Sequence, residues 1–369
     1  MKYRLGIAFG VALASWGLAA HAATYWVDVA ASEGGDGTRG KPFQQTQEAL
    51  KKAEAGDQIF LLPGNHGDLH VTQGEGAPLF KGGYVTLRAA PVDGASVATV
   101  SLGRVELKSK WPVEPWDAYL RIRGVRIREG LLLLAGRHLQ IVDCLVETRP
   151  PWTGSAKLMR RAALDLQGEN ILIEGCEITR TAVGISAIGS DITIRKCHIH
   201  HGTSDGIRLR EVRNALVEGN RIHDLNDGVT EEQADWSEDC KGIRISTRGP
   251  IKKDTDLVAR RSENVTIRGN TVYNCESLSL VIDSLTDPDG ILLNRNIVVE
   301  NNIFGPARKH SVSLVVAREL IFRHNTVIPV PQDEVTGAGR VASVRLPNDL
   351  SHCRMYGNLL CNSIDKAPG

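Results

Sequence analysis

Val217-Glu218-Gly219-Asn220-Arg221-Ile222 is one of nine copies of a six-residue pattern, and the register of those copies decides the fold. The others read IRGVRI from Ile122, IVDCLV from Ile141, IEGCEI from Ile173 and IRKCHI from Ile194. Beyond VEGNRI come IRGNTV from Ile267, VENNIF from Val299, FRHNTV from Phe322 and MYGNLL from Met355. Copies start 19 to 50 residues apart. Apolar residues alternate within each copy, which is the period of a strand and not of a helix. A constant strand motif with variable gaps describes the rungs of a coil whose insertions leave as loops. Strands are therefore expected to begin near each first residue and to stack in parallel.

The fourth position carries the strongest signal. It holds Val125, Cys144, Cys176 and Cys197, then Asn220, Asn270, Asn302, Asn325 and Asn358. Asparagines at one register can bond their copies on neighbouring rungs and satisfy buried turn groups. The cysteines at the same position are expected to be inward thiols. Seven cysteines leave at least one unpaired, and Cys353 with Cys361 is the pair considered for a bridge. A second strand column is read at Gly184–Ile188, Gly206–Leu209, Gly242–Ile245, Ser313–Val316 and Ser343–Leu346, with Ile185, Ile207, Ile243, Leu314 and Val344 inward.

The ends add to this. Lys2 and Arg4, the apolar run Leu5–Ala20 and Ala20-His21-Ala22 form a basic start, a short apolar middle and a small-residue cleavage site. Residues 1–22 are expected to be a signal peptide, giving a secreted or periplasmic chain whose residues 23–369 form one domain. The run is short for a membrane span. After it comes the strand Tyr25–Val29, a helix over Pro42–Ala55 with Phe43, Leu50 and Ala53 on one face, then Gly56-Asp57 and the strand Gln58–Leu62. The helix is expected to cover the otherwise open first rung.

The asparagine register and this strand–helix–"AGD"–strand–"PG" opening resemble the right-handed parallel β-helix, or pectin-lyase-like, superfamily of secreted carbohydrate-active proteins. The resemblance implies an all-β, single-stranded right-handed solenoid with an N-terminal capping helix. It is generic for function, since lyases, hydrolases, epimerases and adhesins share it. A formal net charge of +1 and the lack of a basic, aromatic-interleaved stripe argue against a nucleic-acid partner.

Chemistry is sought beside the longest gap, between Val217 and Ile267. It holds Asp227, Glu231, Glu232, Asp235, Trp236, Glu238, Asp239, Cys240 and Lys241. Flanking strands carry Asp205, Arg208, Arg210 and Arg244. This set suits β-elimination or C5 epimerisation on a uronic-acid polymer, which needs the substrate carboxylate neutralised and a base at hand. Arg208 and Arg244 on adjacent rungs would grip the carboxylate, Lys241 would be the base, and Asp205 and Asp239 would assist. Arg210, Trp236 and His201 are candidate substrate contacts, and Glu231, Asp235 and Glu238 a carboxylate set suited to Ca²⁺. The same residues also suit a solvated charged loop beside ordinary surface arginines.

Two alternatives stay open. Thr203-Ser204-Asp205-Gly206-Ile207 followed by Glu238-Asp239-Cys240 resembles polygalacturonase-type hydrolases, which implies Asp205, Glu238 and Asp239 as acid and water-activating base of an inverting reaction. The family's His-Gly and Arg-x-Lys rungs are missing, replaced by Ser277-Leu278-Ser279-Leu280 and Ser311-Val312-Ser313-Leu314. The other is a non-catalytic carbohydrate-binding or envelope protein. His198, His200, His201 and His223 are read as turn caps or as acid–base groups. Trp111, Trp116 and Trp152 are read as sugar platforms or loop anchors.

Overall fold

The computed structural model describes residues 22–73, 82–93, 95–109, 115–148, 162–226, 240–246, 261–283, 294–307, 310–314, 318–329, 344–345 and 353–361. Its strands wind into a single parallel β-helix. An 18-stranded sheet is creased lengthwise, so that long strands such as Leu131–Val142, Ala162–Glu174, Val183–Arg195 and Ile207–Glu218 run along a first face, bend, and continue on a second. An 11-stranded sheet of short strands closes the third face. Every pairing between these strands is parallel, for instance Ile194 with Val217 and Val217 with Ile267.

The nine motif copies fall in one unbroken register. Ile122, Ile141, Ile173, Ile194, Val217, Ile267, Val299, Phe322 and Met355 pair in succession along the second face. They do not begin strands, as the pattern suggested, but come near strand ends. The motif spans a turn, and the turn is what makes it constant. Its third residue is left-handed in every copy: Gly124, Asp143, Gly175, Lys196, Gly219, Gly269, Asn301, His324 and Gly357 have φ between 52° and 65°. That conformation strains most side chains, which is why Gly and short polar residues dominate there.

The next residue points inward and forms the ladder. Asn220, Asn270, Asn302 and Asn325 are each 1% exposed. The Oδ1 of Asn270 accepts both the backbone N–H and the side-chain Nδ2 of Asn220 at 2.9 Å, and Asn302 does the same for Asn270. Cys144, Cys176 and Cys197 occupy the ladder position as buried free thiols, and Cys353 and Cys361 are free as well. The neighbouring sulfurs of Cys144 and Cys197, and then burial, push the central thiol, Cys176, well up.

Two further expectations need correction, and one open reading is decided. The helix is Thr46–Lys52, shorter than the one expected over Pro42–Ala55. Phe43 precedes it in a bridge to Val27, although Phe43, Leu50 and Ala53 are all buried and the helix packs on the first strands. In the inward column Ile185, Ile207, Ile243, Leu280, Val312 and Val344 pair in turn, so Leu314 belongs two residues further on, beside Ile282. A slip of two keeps the same face, and Leu314 is still buried. Trp116 is not a platform but an anchor, 4% exposed, with its indole N–H donating to the Leu134 carbonyl at 3.2 Å. Trp111 and Trp152 lie outside the described residues. The AGD turn works as a latch, Asp57 accepting the N–H groups of Ala23 at 2.6 Å and Glu54 at 2.8 Å.

Candidate functional site

The first face positions the site. Parallel pairing sets Arg208 beside Arg244 in one outward column, with Asp165 and Ser186 on the two rungs before and Val281 and Ser313 on the two after. Asp205 precedes the strand, where the chain turns in from the third face. Its carboxylate is 1% exposed, and Oδ2 accepts from Arg208 Nε at 2.5 Å while Arg244 Nη1 stands 4.0 Å away. A second Arg208 nitrogen donates to Ser204 Oγ at 3.2 Å, and Arg244 Nη2 pairs with Asp283 at 3.1 Å. Such charge-assisted contacts compensate a carboxylate taken out of water. Asp205 Oδ1 and Arg244 Nε are buried without a hydrogen-bond partner.

Lys241 lies on the next rung, 8% exposed, its carbonyl accepting the Gly206 N–H at 2.8 Å. Arg210 reaches back one rung to Ser186 Oγ at 3.0 Å. Arg208, Lys241, Arg244 and Asp205 are thus gathered in one place, but the arginines are partnered by buried or half-buried carboxylates and are not the free surface cations the sequence suggested.

A groove of about 610 Å³, at the ends of the third-face strands His198–Gly202, Arg221–Leu225 and Thr271–Cys275, is lined by Arg180, His201, Thr203, Asp224, Asn274 and Glu276, among others. Thr203 leads through Ser204 into Asp205, so groove and cluster are continuous along the chain. Burial pushes the Cys275 thiol in the groove wall up, with the charges of Asp205 and Asp224 both acting in the same direction. His201 lines this groove as expected. His201 Nδ1 lies 2.5 Å from His200 Nδ1, and His200 Nε2 lies 3.3 Å from Glu177. His198 and His223 meet through their Nε2 atoms at 2.8 Å, and His223 Nδ1 bonds Asp224 at 2.7 Å. Burial and the surrounding cations lower His198, and burial lowers His200.

Asp239, Trp236, Glu231, Asp235 and Glu238 lie outside the described residues. Among the described residues no three His, Cys, Asp or Glu converge on a metal position. Asp224, Glu276 and Asp283 were not singled out from the sequence. Asp224 was signalled by alignment of RIHD with HIHH, which puts it beside His201 in a left-handed column with Asn274.

Residues 157–340 match the family model described as "Right handed beta helix region". No protein of curated function matches the chain in sequence. Among solved structures, pectate lyase Pel9A is similar at TM-score 0.50 and 12% identity, over 91% of this chain and 79% of that one. The GH136 lacto-N-biosidase from Eubacterium ramulus gives 0.54 and 13%, over 92% and 68%. The A-module of the mannuronan C-5 epimerase AlgE4 from Azotobacter vinelandii gives 0.51 and 11%, over 82% and 86%. Likeness at this identity concerns the fold.

Proposed function

We propose that this chain, a right-handed parallel β-helix of the pectin-lyase-like superfamily, is an exported protein that cleaves an anionic polysaccharide by β-elimination at a uronic acid. Export rests on the leader read in residues 1–22. The reading is supported by one observation: Arg208 and Arg244 stand side by side on adjacent rungs around the buried Asp205, with Lys241 on the same strand as Arg244 and its carbonyl bonded to the Gly206 N–H. In this scheme Arg244, with Arg208 beside it, offsets the substrate carboxylate, so that charge developing on it after loss of the C5 proton is stabilised. Lys241, as the neutral amine, takes that proton. The C5–H electron pair becomes the C4=C5 double bond, the C4–O4 bond breaks with its electron pair leaving on O4, and O4 takes a proton from water. Asp205 holds Arg208 in place, a positioning role.

The polysaccharide-active reading is supported in breadth by similar structures that include a lyase, a biosidase and an epimerase. Hydrolysis is the second reading, favoured by the carboxylates of Asp224 and Glu276 on the groove. The test is turnover of a panel of uronate polymers followed by ultraviolet absorbance of unsaturated ends. Lys241→Ala and Arg244→Ala should each lower kcat by on the order of 10²-fold or more. Reducing ends without absorbance, lost in Asp224→Asn, would replace elimination by hydrolysis. Binding without turnover would make the chain a carbohydrate-binding protein.

A further inference from the structure

The second face changes character along its length. From the sixth rung onward its outer column alternates in sign: Glu174, Arg195, Glu218, Arg268, Glu300 and Arg323 are paired in succession. Arg195–Glu174, Arg268–Glu218 and Arg323–Glu300 are ion pairs at 2.9, 2.7 and 2.5 Å. On the first four rungs the same column reads Trp26, Phe60, Arg88 and Arg123, with no acid among them. The parallel column beside it contains Thr86, Arg121 and Gln140.

Here the arginines are held by rings. The Arg39 guanidinium lies 5.2 Å from the Trp26 ring centre, Arg88 5.8 Å from Phe60 and Arg121 5.2 Å from Tyr84. The rings support one another, Trp26 on Phe60 at 5.0 Å and Tyr84 on Tyr119 at 5.7 Å. Arg123 is taken by Asp143 at 3.1 Å. Arg39, Arg88 and Arg121 make no ion pair among the described residues, Arg121 bonding only the neutral Gln140, and Arg88 Nε is buried without a partner. In a chain only 5% aromatic, this concentration on one face is not what composition supplies.

A guanidinium lying on a ring is already ordered and partly desolvated, and its fork of donors matches a carboxylate or sulfate. Arg88 and Arg121 belong to adjacent rungs and neighbouring columns, Arg88 level with Arg123 and Arg121 level with Thr86, so they are diagonal neighbours roughly 8 Å apart along which separated oxyanions of one extended chain could be met in turn. We infer that the outer side of the first four rungs of the second face is a binding surface for an oxyanion-bearing polysaccharide, separate from the cluster at Asp205. It acts as a tether that keeps the coil on a polymer whatever the cluster does. The ligand chemistry is a carboxylate or sulfate in a regular array, and rings with arginines are the groups that recognise it.

The test is affinity electrophoresis of the full chain through gels containing polygalacturonate, dextran sulfate or neutral dextran. Retardation is expected in one or both polyanion gels and not in neutral dextran, the gel that responds telling uronate from sulfate. Arg88→Gln/Arg121→Gln should weaken it at least about tenfold, the loss expected for one or more charge-assisted contacts. Arg39→Ala, at an exposed position where the fold is not at stake, should weaken it in the same direction. Arg208→Lys, which keeps a cation beside Asp205, should leave this retardation in place while affecting turnover, so failure of the tether and failure of the elimination reading are told apart. Unchanged retardation in both the Arg39 and the Arg88/Arg121 variants, or equal retardation in neutral dextran, would overturn the proposal.

Discussion

Asp205 and Arg208, three residues apart where one strand begins, form an ion pair at 2.5 Å with the carboxylate 1% exposed. Breaking such a pair strands its partner away from water, which costs about 3 kcal/mol or more. Arg208→Ala should lower stability by that order in chemical denaturation. Arg208→Lys should recover much of the stability but little of the turnover, because an ammonium cannot reproduce the guanidinium fork. Equal stability of Arg208→Ala and the parent would mean that Asp205 is not held as described.

Asn270→Leu should destabilise by roughly 1–3 kcal/mol, since the change leaves the Asn220 backbone N–H without its acceptor and removes a donor from the Val217 carbonyl. Asn358 lies on the most C-terminal rung of the ladder and is partly exposed. The same substitution there should cost less. Urea midpoints of the two variants decide it.

The alternating ladder makes a charge test possible. Glu218 is paired between Arg195 and Arg268, so Glu218→Arg places three like charges on consecutive rungs. Opposed like charges in a sheet cost about 0.2–1 kcal/mol each. The loss in Tm should shrink as salt rises, because these groups are only half-buried.

Acid should destabilise the protein in two stages. His198 and His200 are lowered from their usual 6.5, so the unfolded chain binds protons first and stability begins to fall as pH drops below about 6.5. Glu174 and Glu106 are lowered from 4.5 by hydrogen bonds from Arg195 and Lys108 respectively, and Glu263 is lowered by Arg295 and Arg261 against the opposing effect of burial. Their contribution is present above 4.5 and is lost as pH falls through their folded values. A Tm profile for His198→Gln/His200→Gln should lose the first stage and retain the second.

The coil was legible because its turns repeat: a left-handed residue followed by an inward Asn or Cys survives every change of loop length. The site was less so. The sign alternation from Glu174 to Arg323 stands at the second motif position in plain view, yet it is meaningful only once the copies are known to be neighbours. Leu314 was read two residues out of register because period two cannot distinguish such a slip, and the column as read passed over Leu280 and the Asp283 that follows its strand. The pairing of Arg208 with Asp205 depends on where the chain turns between faces, which alternation does not encode. The carboxylates of residues 227–239 lie in an insertion with no repeat to read.

The asparagine ladder also has a direction. In each step the Oδ1 of the later rung accepts the N–H of the earlier one, from Cys197 to Asn220, Asn220 to Asn270, Asn270 to Asn302, Asn302 to Asn325 and Asn325 to Asn358. Each Nδ2 likewise reaches back to a carbonyl already laid down, such as Ile194 for Asn220 and Val217 for Asn270. A coil assembled from its N-terminal side during synthesis therefore always has one inward amide waiting at the growing end, and each arriving rung satisfies the one before it. Growth in the opposite order would bury side-chain amides whose acceptors did not yet exist. Chain polarity and ladder polarity agree, so the order in which the ribosome releases the rungs is also the order in which their polar groups find partners.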